Sequence, residues 1–414
     1  MVDKGVGNDM GANTRRRTRR PIRRKVLTVL AIVALSMTSA AWAGAATAAP
    51  AVTAQTASPQ CSAVSVPVAL SAGGPADQDV VGQICQPTGQ NAIPGAIQVL
   101  VSGATYGSSY WDLPYEPDKY SYVQAANQAG FATLDFDRVG IGQSSHPLST
   151  SLTISSDAYA IHELIQDLRA GTLDGNKYTK VVIVGHSLGS LMAWTEAGTY
   201  HDVDAVVVSG ILHSFNIPSM VHFLTTLYPA ALDPEFLGKI VDPGYLTTVP
   251  GTRESDFYYP QDTDPAVVQL DEQTKQTATL TEAVEAFVDE VPGELRPVTS
   301  LVCTITPGVC DGPASWAAYG ITSQINVPVL DVVGQYDSLF CGGPTGANPC
   351  LNVSQLQNTE SAFYTGTAQK CLKVATLPMA GHDLNLELNA EDWFSMANTW
   401  SSELLEQGTA GIGC

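Results

Sequence analysis

Short apolar runs alternate with amphipathic segments along most of this chain. Runs rich in β-branched residues predict strands at 64–70, 80–86, 97–102, 132–135, 181–184, 205–209, 327–333 and 371–377. Apolar residues at helical spacing predict helices at 120–128, 156–170 and 188–197. Such alternation predicts an α/β fold, in which a mostly parallel sheet is covered by helices on both faces.

One long segment interrupts the alternation. Residues 214–326 contain few strand signals, two helical patterns at 220–227 and 280–288, and a concentration of Pro, Asp and aromatic residues between them. We therefore predict a largely helical cap or lid, inserted at 214–326 into an α/β core formed by 61–213 and 327–414.

The N-terminus has the order of an export signal. Basic residues precede an apolar stretch at 26–35, and small residues follow it. Small residues allow cleavage after Ala43 or after Ala48. We therefore predict a signal peptide over 1–43, or over 1–48 if the second position is used, and a flexible lead-in over 44–60. A twin-arginine route and the general secretory route both remain open. We predict a secreted protein without stable membrane insertion after processing.

Charge narrows the choice of partners. The whole chain has a formal charge of −20, and residues 1–43 hold nine basic and two acidic residues, so the remainder carries −27. An acidic surface disfavours nucleic acid, which needs basic side chains to displace counterions. It favours neutral or cationic substrates.

All eight cysteines lie beyond the predicted signal. An even number in an exported chain predicts disulfides, while a zinc site is disfavoured because no CxxC pair is present. Pairing of nearest neighbours predicts Cys61–Cys85, Cys303–Cys310, Cys341–Cys350 and Cys371–Cys414.

The most informative motif is Gly-His-Ser-Leu-Gly at 185–189, which follows four β-branched residues and precedes a helical pattern. This strand–turn–helix setting predicts a nucleophile elbow that presents the Ser187 hydroxyl at the carboxyl edge of the sheet. Close packing of such a turn requires small neighbours, which Gly185 and Gly189 supply.

A serine hydroxyl needs a base and an orienting acid. In elbow proteins the acid and then the histidine follow the serine, which selects His382 in the loop after the last strand. Asp337, just beyond a strand, is the preferred acid over Asp331 within that strand. His213 and His222, at the start of the predicted cap, are either substrate contacts or ordinary histidines.

An acyl-transfer site also needs two N–H groups for an oxyanion. We expect one from Leu188 and the other from the loop after the strand at 97–102, with Ala104 preferred over Thr105. Further substrate contacts are predicted from Thr105 and from an apolar group in the cap, Met220, Phe223 and Leu224. Neither a phosphate loop nor clustered metal ligands are evident, so no cofactor and no metal is predicted.

These motifs together resemble the α/β-hydrolase family, in its secreted serine esterase or lipase-like form. The resemblance rests on Gly103 with the Ser-Ser-Tyr-Trp at 108–111, Asp-Arg-Val-Gly-Ile-Gly-Gln-Ser at 137–144, the elbow, Gly334 to Asp337, and Gly381-His382. Ser102 replaces the family's usual histidine before Gly103. The resemblance implies an eight-stranded sheet with its second strand antiparallel.

We therefore predict an exported serine hydrolase that cleaves a small-molecule or lipid-like neutral ester through an acyl-enzyme. An exported peptidase or amidase with the same triad is the first alternative, since an acidic cap group formed by Glu254, Asp256, Asp262 and Asp264 would suit a free amino terminus. The second is a non-catalytic binding protein on a hydrolase scaffold. The oligomeric state is left open.

Overall fold

A computed structural model describes residues 60–87, 92–290, 320–341 and 350–414. The predicted signal peptide, and the lead-in up to residue 59, lie outside these described residues, as does the predicted Cys303–Cys310 pair.

The strands carry the architecture. In chain order they are β1 (Gln60–Val68), β2 (Gln78–Gln86), β3 (Ala96–Val101), β4 (Ala132–Asp137), β5 (Lys180–His186), β6 (Ala205–Ser209), β7 (Leu227–Pro229), β8 (Tyr245–Thr248), β9 (Ala278–Thr279), β10 (Val329–Gly334) and β11 (Leu372–Leu377).

Eight of these strands form one sheet in the order β1-β2-β4-β3-β5-β6-β10-β11. β2 runs antiparallel to β1 and β4, and the other neighbours are parallel. Every residue of β3, β4, β6 and β10 is buried. Burial on both faces explains why apolar residues predominate in β3, β6 and β10, whereas β4 alternates them with Thr133, Asp135 and Asp137. The predicted mostly parallel sheet is confirmed, although β1 begins at Gln60 rather than at residue 64.

The helices in chain order are α1 (Pro117–Tyr120), α2 (Tyr122–Gln128), α3 (Ile154–Ala170), α4 (Leu188–Tyr200), α5 (Ile217–Thr226), α6 (Arg253–Phe257), α7 (Pro265–Thr274), α8 (Leu280–Glu290), α9 (Val353–Glu360), α10 (Gly366–Lys370) and α11 (Ala390–Gln407).

Helices flank the sheet, with α3 packed against α4 and α11 packed against α2. The single helix predicted at 120–128 is divided because Ser121 adopts extended backbone, and its hydroxyl accepts a hydrogen bond from the Gln124 N–H at 2.9 Å. A serine in that position starts a new helix by satisfying an N–H that would otherwise lack a partner. None of the described helices combines the length and apolar character needed to cross a membrane.

The predicted cap segment contains more strand than its sequence suggested. Besides α5 to α8, its described residues form an antiparallel sheet in the order β7-β8-β9. These strands have between two and four residues, and β7 reads Leu-Tyr-Pro. Segments so short carry too little alternation for a sequence pattern to reveal them.

Three of the predicted disulfides are present: Cys61–Cys85, Cys341–Cys350 and Cys371–Cys414. Cys61 and Cys85 are directly opposed residues of β1 and β2, so this bond joins two strands at the antiparallel end of the sheet.

Candidate active site

The predicted elbow lies where β5 passes into α4. Ser187 is the single residue between them, with φ 51° and ψ −120°, a conformation that is costly for a residue with a side chain. Its N–H donates to the Ser209 carbonyl at the end of β6, at 2.8 Å. Neighbouring strands therefore hold the strained turn in place, as is typical of a nucleophile elbow.

Both glycines of the motif are required by close packing. A Cβ on Gly185 would lie 2.6 Å from the Cα of Ser190, and one on Gly189 would lie 2.2 Å from the Val101 carbonyl oxygen. These contacts are with backbone or near-backbone atoms, which cannot move aside without displacing β3 or α4. The reason given from sequence for small residues beside Ser187 therefore agrees with the packing.

His382 and Asp337 meet in the loops that follow β11 and β10. The Nδ1 atom of His382 lies 2.9 Å from Oδ2 of Asp337, and both side chains are buried. The other oxygen, Asp337 Oδ1, accepts hydrogen bonds from the backbone N–H groups of Leu339 at 2.8 Å and Phe340 at 3.1 Å. The carboxylate is thus fixed on one side by backbone and faces the imidazole with the other.

The environment of His382 favours its charged form. Burial by itself lowers the pKa of His382, but the charge of Asp337, its hydrogen bond and the charge of Asp383 together raise that pKa above its ordinary value. The backbone N–H of His382 also donates to the Phe257 carbonyl at 2.7 Å, which anchors the loop to α6. Nδ1 of His382 thus faces Asp337, and Nε2 has no hydrogen-bond partner among the described residues.

Asp331, the alternative acid, lies in the middle of β10 and is fully buried. Burial, and then the neighbouring charge of Glu360, raises the pKa of Asp331 well above its usual range. Within the described residues neither of its carboxylate oxygens has a hydrogen-bond partner. Of the two carboxylates considered from sequence, Asp337 is the one that contacts His382.

The Ser187 side chain faces a narrow cavity. Ser187 and Phe340 both line it, and the Phe340 ring centroid lies 5.9 Å from that of His382. Among the described atoms, the Ser187 hydroxyl makes no hydrogen bond. Active-site hydrogen bonds often become short only when substrate is bound.

The two predicted oxyanion donors line the same cavity. The Leu188 and Ala104 N–H groups have no acceptor within the described part of the chain, and both residues border the cavity beside Ser187. The Gly103 carbonyl accepts from the Arg138 guanidinium at 3.3 Å, and the Ser102 carbonyl accepts from it at 3.1 Å. Since a trans peptide directs its N–H opposite to its C=O, Arg138 sets the direction of the Ala104 N–H.

Thr105 is placed differently from the substrate contact expected of it. The residue has φ 62° and is fully buried. Its hydroxyl accepts from Arg253 at 3.0 Å, and its carbonyl accepts from the Gln276 N–H at 2.9 Å. The left-handed turn directs this side chain into the protein, so in the described structure Thr105 supports the loop and does not line the cavity.

The cavity itself is apolar and has a volume of about 50 Å³. A second apolar cavity of about 340 Å³ shares Leu224, Leu227 and Ala283 with it. The predicted contacts are among the side chains that line the first cavity, which include Met220, Phe223 and Leu224. The four cap carboxylates considered for a peptidase, Glu254, Asp256, Asp262 and Asp264, do not line it.

A buried polar network that sequence reasoning missed lies beneath the site. Nε2 of His186 lies 3.1 Å from Oδ1 of Asp383, and Tyr106 donates its hydroxyl to the other oxygen of Asp383. The Tyr106 hydroxyl also lies 3.2 Å from Asp271, which forms a two-bond pair with Arg253. The network connects the elbow, the His382 loop and the Thr105 loop through side chains that are all buried.

The sequence motifs indicated some of these supporting residues and not others. Asp383 directly follows His382, and Arg138 lies inside the motif at 137–144, so both were adjacent to recognised landmarks. Arg253 had no such signal. Glu387 had none either, although its carboxylate accepts from the N–H groups of Tyr259 and Gly381, and burial raises its pKa to about 9.

The two histidines proposed at the cap entrance differ in exposure. His213 is buried, with Nδ1 2.5 Å from Oε2 of Glu360 and Nε2 3.1 Å from the Thr322 hydroxyl. His222 is largely exposed and lies 3.7 Å from Asp256. Neither lines the cavity beside Ser187.

Two groups of described side chains bring possible metal-ligand atoms within 4.8 Å of one another. One joins His186, His382 and Asp383, which are already engaged in the hydrogen bonds of this site. The other joins His162, Glu196 and Asp202. Each group brings together residues from separate parts of the chain, so the sequence showed no cluster of metal ligands.

The sequence model of the alpha/beta hydrolase family matches residues 98–394. No curated protein matches this sequence.

Several solved structures are similar in fold. Alpha/beta hydrolase GrgF from Penicillium sp. sh18 has a TM-score of 0.50 at 14% identity, covering 85% of this chain and 99% of its own. A putative aryl esterase from Burkholderia cenocepacia has a TM-score of 0.49 at 13% identity, covering 84% of this chain and 99% of its own. A thermophilic esterase from Thermogutta terrifontis has a TM-score of 0.48 at 15% identity, covering 83% of this chain and 99% of its own. At such identities the likeness concerns the fold alone.

Proposed function

Because the chain belongs to the alpha/beta hydrolase family, we propose that it is an exported serine hydrolase that cleaves carboxylic esters through an acyl-enzyme. The observation that carries the proposal is the 2.9 Å contact between His382 and Asp337, beside a cavity that Ser187 lines. In this proposal Ser187 is the nucleophile, His382 the general base and Asp337 the acid that orients His382.

The chemistry follows from these positions. His382 accepts the Ser187 proton at Nε2 as the hydroxyl oxygen attacks the ester carbonyl carbon. Asp337 holds the proton at Nδ1 and stabilises the imidazolium. His382 then protonates the leaving alcohol, and a water molecule activated by the same imidazole releases the acid and restores Ser187.

The tetrahedral oxyanion is the species that most needs stabilisation. The N–H groups of Leu188 and Ala104 are proposed as its donors, and loss of one such donor costs on the order of 10²–10³ in kcat. Arg138 holds the Gly103–Ala104 peptide from the opposite side. Arg138 is therefore a proposed positioning residue for the oxyanion hole.

The substrate is inferred from the cavity walls. Their side chains are apolar, so the acyl group that enters is expected to be uncharged. The larger neighbouring cavity offers room for an acyl chain longer than acetyl. The acidic surface of the chain is compatible with a neutral ester, and the described disulfides are typical of an oxidising compartment outside the cytosol.

The alternatives receive less support from the site. A peptidase that captured a free amino terminus would need a carboxylate near Ser187, and the four cap carboxylates are elsewhere. Asp256, for example, accepts a hydrogen bond from Thr226, and Asp264 caps α7. A binding protein would have no reason to retain a strained elbow beside a histidine–carboxylate pair.

Hydrolysis of a series of neutral esters, from acetyl to palmitoyl, together with aminoacyl amides, tests the proposal. We expect turnover of esters, with kcat/KM greater for chains longer than acetyl than for acetyl itself. Ser187→Ala should abolish this turnover and also labelling by a fluorophosphonate. Ser214→Ala, at an exposed serine, is the matched control and should change neither.

Three outcomes would contradict the proposal. Ester turnover that survives in Ser187→Ala would exclude Ser187 as nucleophile. A folded wild-type protein that remains unlabelled by the fluorophosphonate would favour the non-catalytic alternative. Faster cleavage of aminoacyl amides than of esters would favour the peptidase.

A further inference from the structure

A second cluster of chemically active side chains lies outside the proposed catalytic machinery. His162 belongs to α3, Glu196 to α4, and Asp202 to the turn between α4 and β6. A ring nitrogen of His162 and one carboxylate oxygen from each of the other two lie within 4.8 Å of one another. The cluster therefore joins two packed helices at the C-terminal part of α4.

Glu196 is the unusual member of this cluster. Its side chain is fully buried, and neither carboxylate oxygen has a hydrogen-bond partner within the described residues. Burial, then a hydrogen bond that the protonated carboxyl makes with Asp202, and then the charge of Asp202 raise the pKa of Glu196 well above its usual range. A buried carboxylate without donors is costly, so the fold must supply either a proton or a cation.

Arg169, the cation whose charge acts on Glu196, has other hydrogen-bond partners. It donates to the Asp202 carbonyl at 2.8 Å and to the Asp204 carboxylate at 2.9 Å. Asp202 itself has one oxygen bonded and one free. Its Oδ2 lies 2.7 Å from Nδ1 of His162 and also accepts from Gln166, while Oδ1 has no partner in the described part of the chain.

His162 is held in place and remains reachable. Its ring is stacked on Tyr200, with centroids 4.1 Å apart. The side chains of His162 and Asp202 are 22% and 13% exposed, so a small ion can reach the buried Glu196 from solvent. One wall of the cluster is therefore dry and acidic, and the other is open to water.

We propose that His162, Glu196 and Asp202 form a binding site for a divalent transition-metal ion, with Zn²⁺ as the expected occupant. One imidazole and two carboxylates are a donor set that suits Zn²⁺, which binds these groups at about 2.0–2.2 Å. Water supplies the remaining coordination from the open side. The ion neutralises the buried carboxylate and connects α3 to α4, so its role is to stabilise the fold and not to take part in ester cleavage.

Ion choice follows from the same donors. Ca²⁺ and Mg²⁺ prefer six or more oxygen ligands and gain little from an imidazole. Adventitious binding to the acidic surface would not distinguish Zn²⁺ from Ca²⁺ in this way. The comparison of the two ions therefore separates a built site from general charge attraction.

The test uses the purified chain, stripped with EDTA and dialysed. Zn²⁺ or Ca²⁺ is titrated while metal content, binding heat and the thermal unfolding midpoint are measured. Wild type should bind one Zn²⁺ per chain at this site, and its unfolding midpoint should rise with Zn²⁺ concentration, because a ligand that binds only the folded state stabilises it. Ca²⁺ at equal concentration should produce little or no rise.

Two variants locate the site, and one controls for surface histidines. Glu196→Gln keeps the shape of the side chain, and His162→Gln alters the partly exposed member; each should weaken Zn²⁺ binding by at least about tenfold. His201→Asn, at an exposed histidine with φ 55°, should leave it unchanged. Ester turnover of the variants serves only as a check of folding.

Three results would overturn the proposal. The first is a wild-type protein whose unfolding midpoint does not respond to Zn²⁺, which would mean that Glu196 is simply protonated. The second is a Zn²⁺ response that persists in both Glu196→Gln and His162→Gln. The third is an equal response to Ca²⁺, which would identify general binding to acidic surface.

Discussion

Two histidine–carboxylate pairs lie side by side in this molecule, with their imidazole centroids 4.9 Å apart. His382 pairs with Asp337 at 2.9 Å, and His186 pairs with Asp383 at 3.1 Å. All four side chains are buried. His186 directly precedes Ser187 in sequence, and the His382 ring centroid lies 5.9 Å from that of Phe340, which lines the Ser187 cavity. In the proposed mechanism only the first pair provides the base.

The difference lies in which nitrogen is occupied. His382 uses Nδ1 for its carboxylate, so Nε2 is available for a proton from the nucleophile. His186 uses Nε2 for Asp383, and its Nδ1 lies 3.3 Å from the Ser209 hydroxyl, so both nitrogens are engaged in the interior. Burial lowers the pKa of His186 well below its ordinary value, and His382 lowers it further. The comparison teaches that two equally buried histidines beside carboxylates can differ in which nitrogen is engaged and in the direction of their pKa shift, and the proposed base is the one with the raised pKa.

Replacing His382 and His186 one at a time should give the largest difference in kcat between the two pairs. His382→Gln should lower kcat on a soluble ester by a factor on the order of 10⁶, because Ser187 then has no base. His186→Gln should lower it by no more than about 100-fold, since only positioning is altered. Urea unfolding of each variant checks the fold. Comparable losses in the two folded variants would mean that both imidazoles handle the proton.

Replacing Asp337 and Asp383 one at a time should give a smaller difference in kcat in the same direction. Asp337→Asn should lower kcat about 10⁴-fold, because the amide favours the wrong imidazole tautomer. Asp383→Asn should cost no more than about 100-fold, because Asp383 supports the loops without a hydrogen bond to Nδ1 of His382. Steady-state kinetics on the same ester measure both. If Asp383→Asn were the more damaging of the two, the assignment of the orienting acid would be wrong.

The smallest expected effect is a shift in the pH dependence of kcat/KM, and it reports specifically on the charge near His382. His382 must be neutral to act as base, and its pKa lies above the ordinary 6.5, so kcat/KM should rise about tenfold per pH unit below that pKa and level off above it. The charge of Asp383 contributes to the raised pKa of His382. In Asp383→Asn the rise should therefore move to lower pH.

Asp383 has a pKa raised to about 6, first by burial, so its own charge is present only above that pH. The shift between wild type and Asp383→Asn should accordingly be measured on the limb above pH 6. A rise that stays in place, or moves to higher pH, would show that Asp383 does not act electrostatically on His382.

Local patterns in the sequence predicted much of the fold. Apolar and β-branched runs identified the eight strands of the main sheet. In β3, β5, β6 and β10 these runs reflect parallel strands that are buried on both faces. Ser187 was identified because an elbow imposes tight steric demands on its neighbours, which leave glycines at 185 and 189. Chain order then pointed to Asp337 and His382, whose contact the structure contains and whose catalytic roles stay predictions.

Other residues had no comparable local pattern. Arg253 and Glu387 each support a loop of the site from a distant part of the chain, and a single buried charge has no periodicity to detect. Thr105 was expected to contact substrate because it adjoins Ala104, but a left-handed turn directs it towards Arg253. The strands of the cap were too short to be distinguished from loops.

The sequence by itself thus determined the strand–helix alternation, the elbow, the order of the catalytic candidates and the three described disulfide pairs. These features depend on residues close in the chain, or on an order that connections along the chain preserve. Tertiary structure alone decided which nitrogen of His186 and of His382 meets a carboxylate, and that His162, Glu196 and Asp202 converge. Those outcomes depend on the packing of distant elements, and the direction of a side chain after packing is not encoded in the spacing of its neighbours.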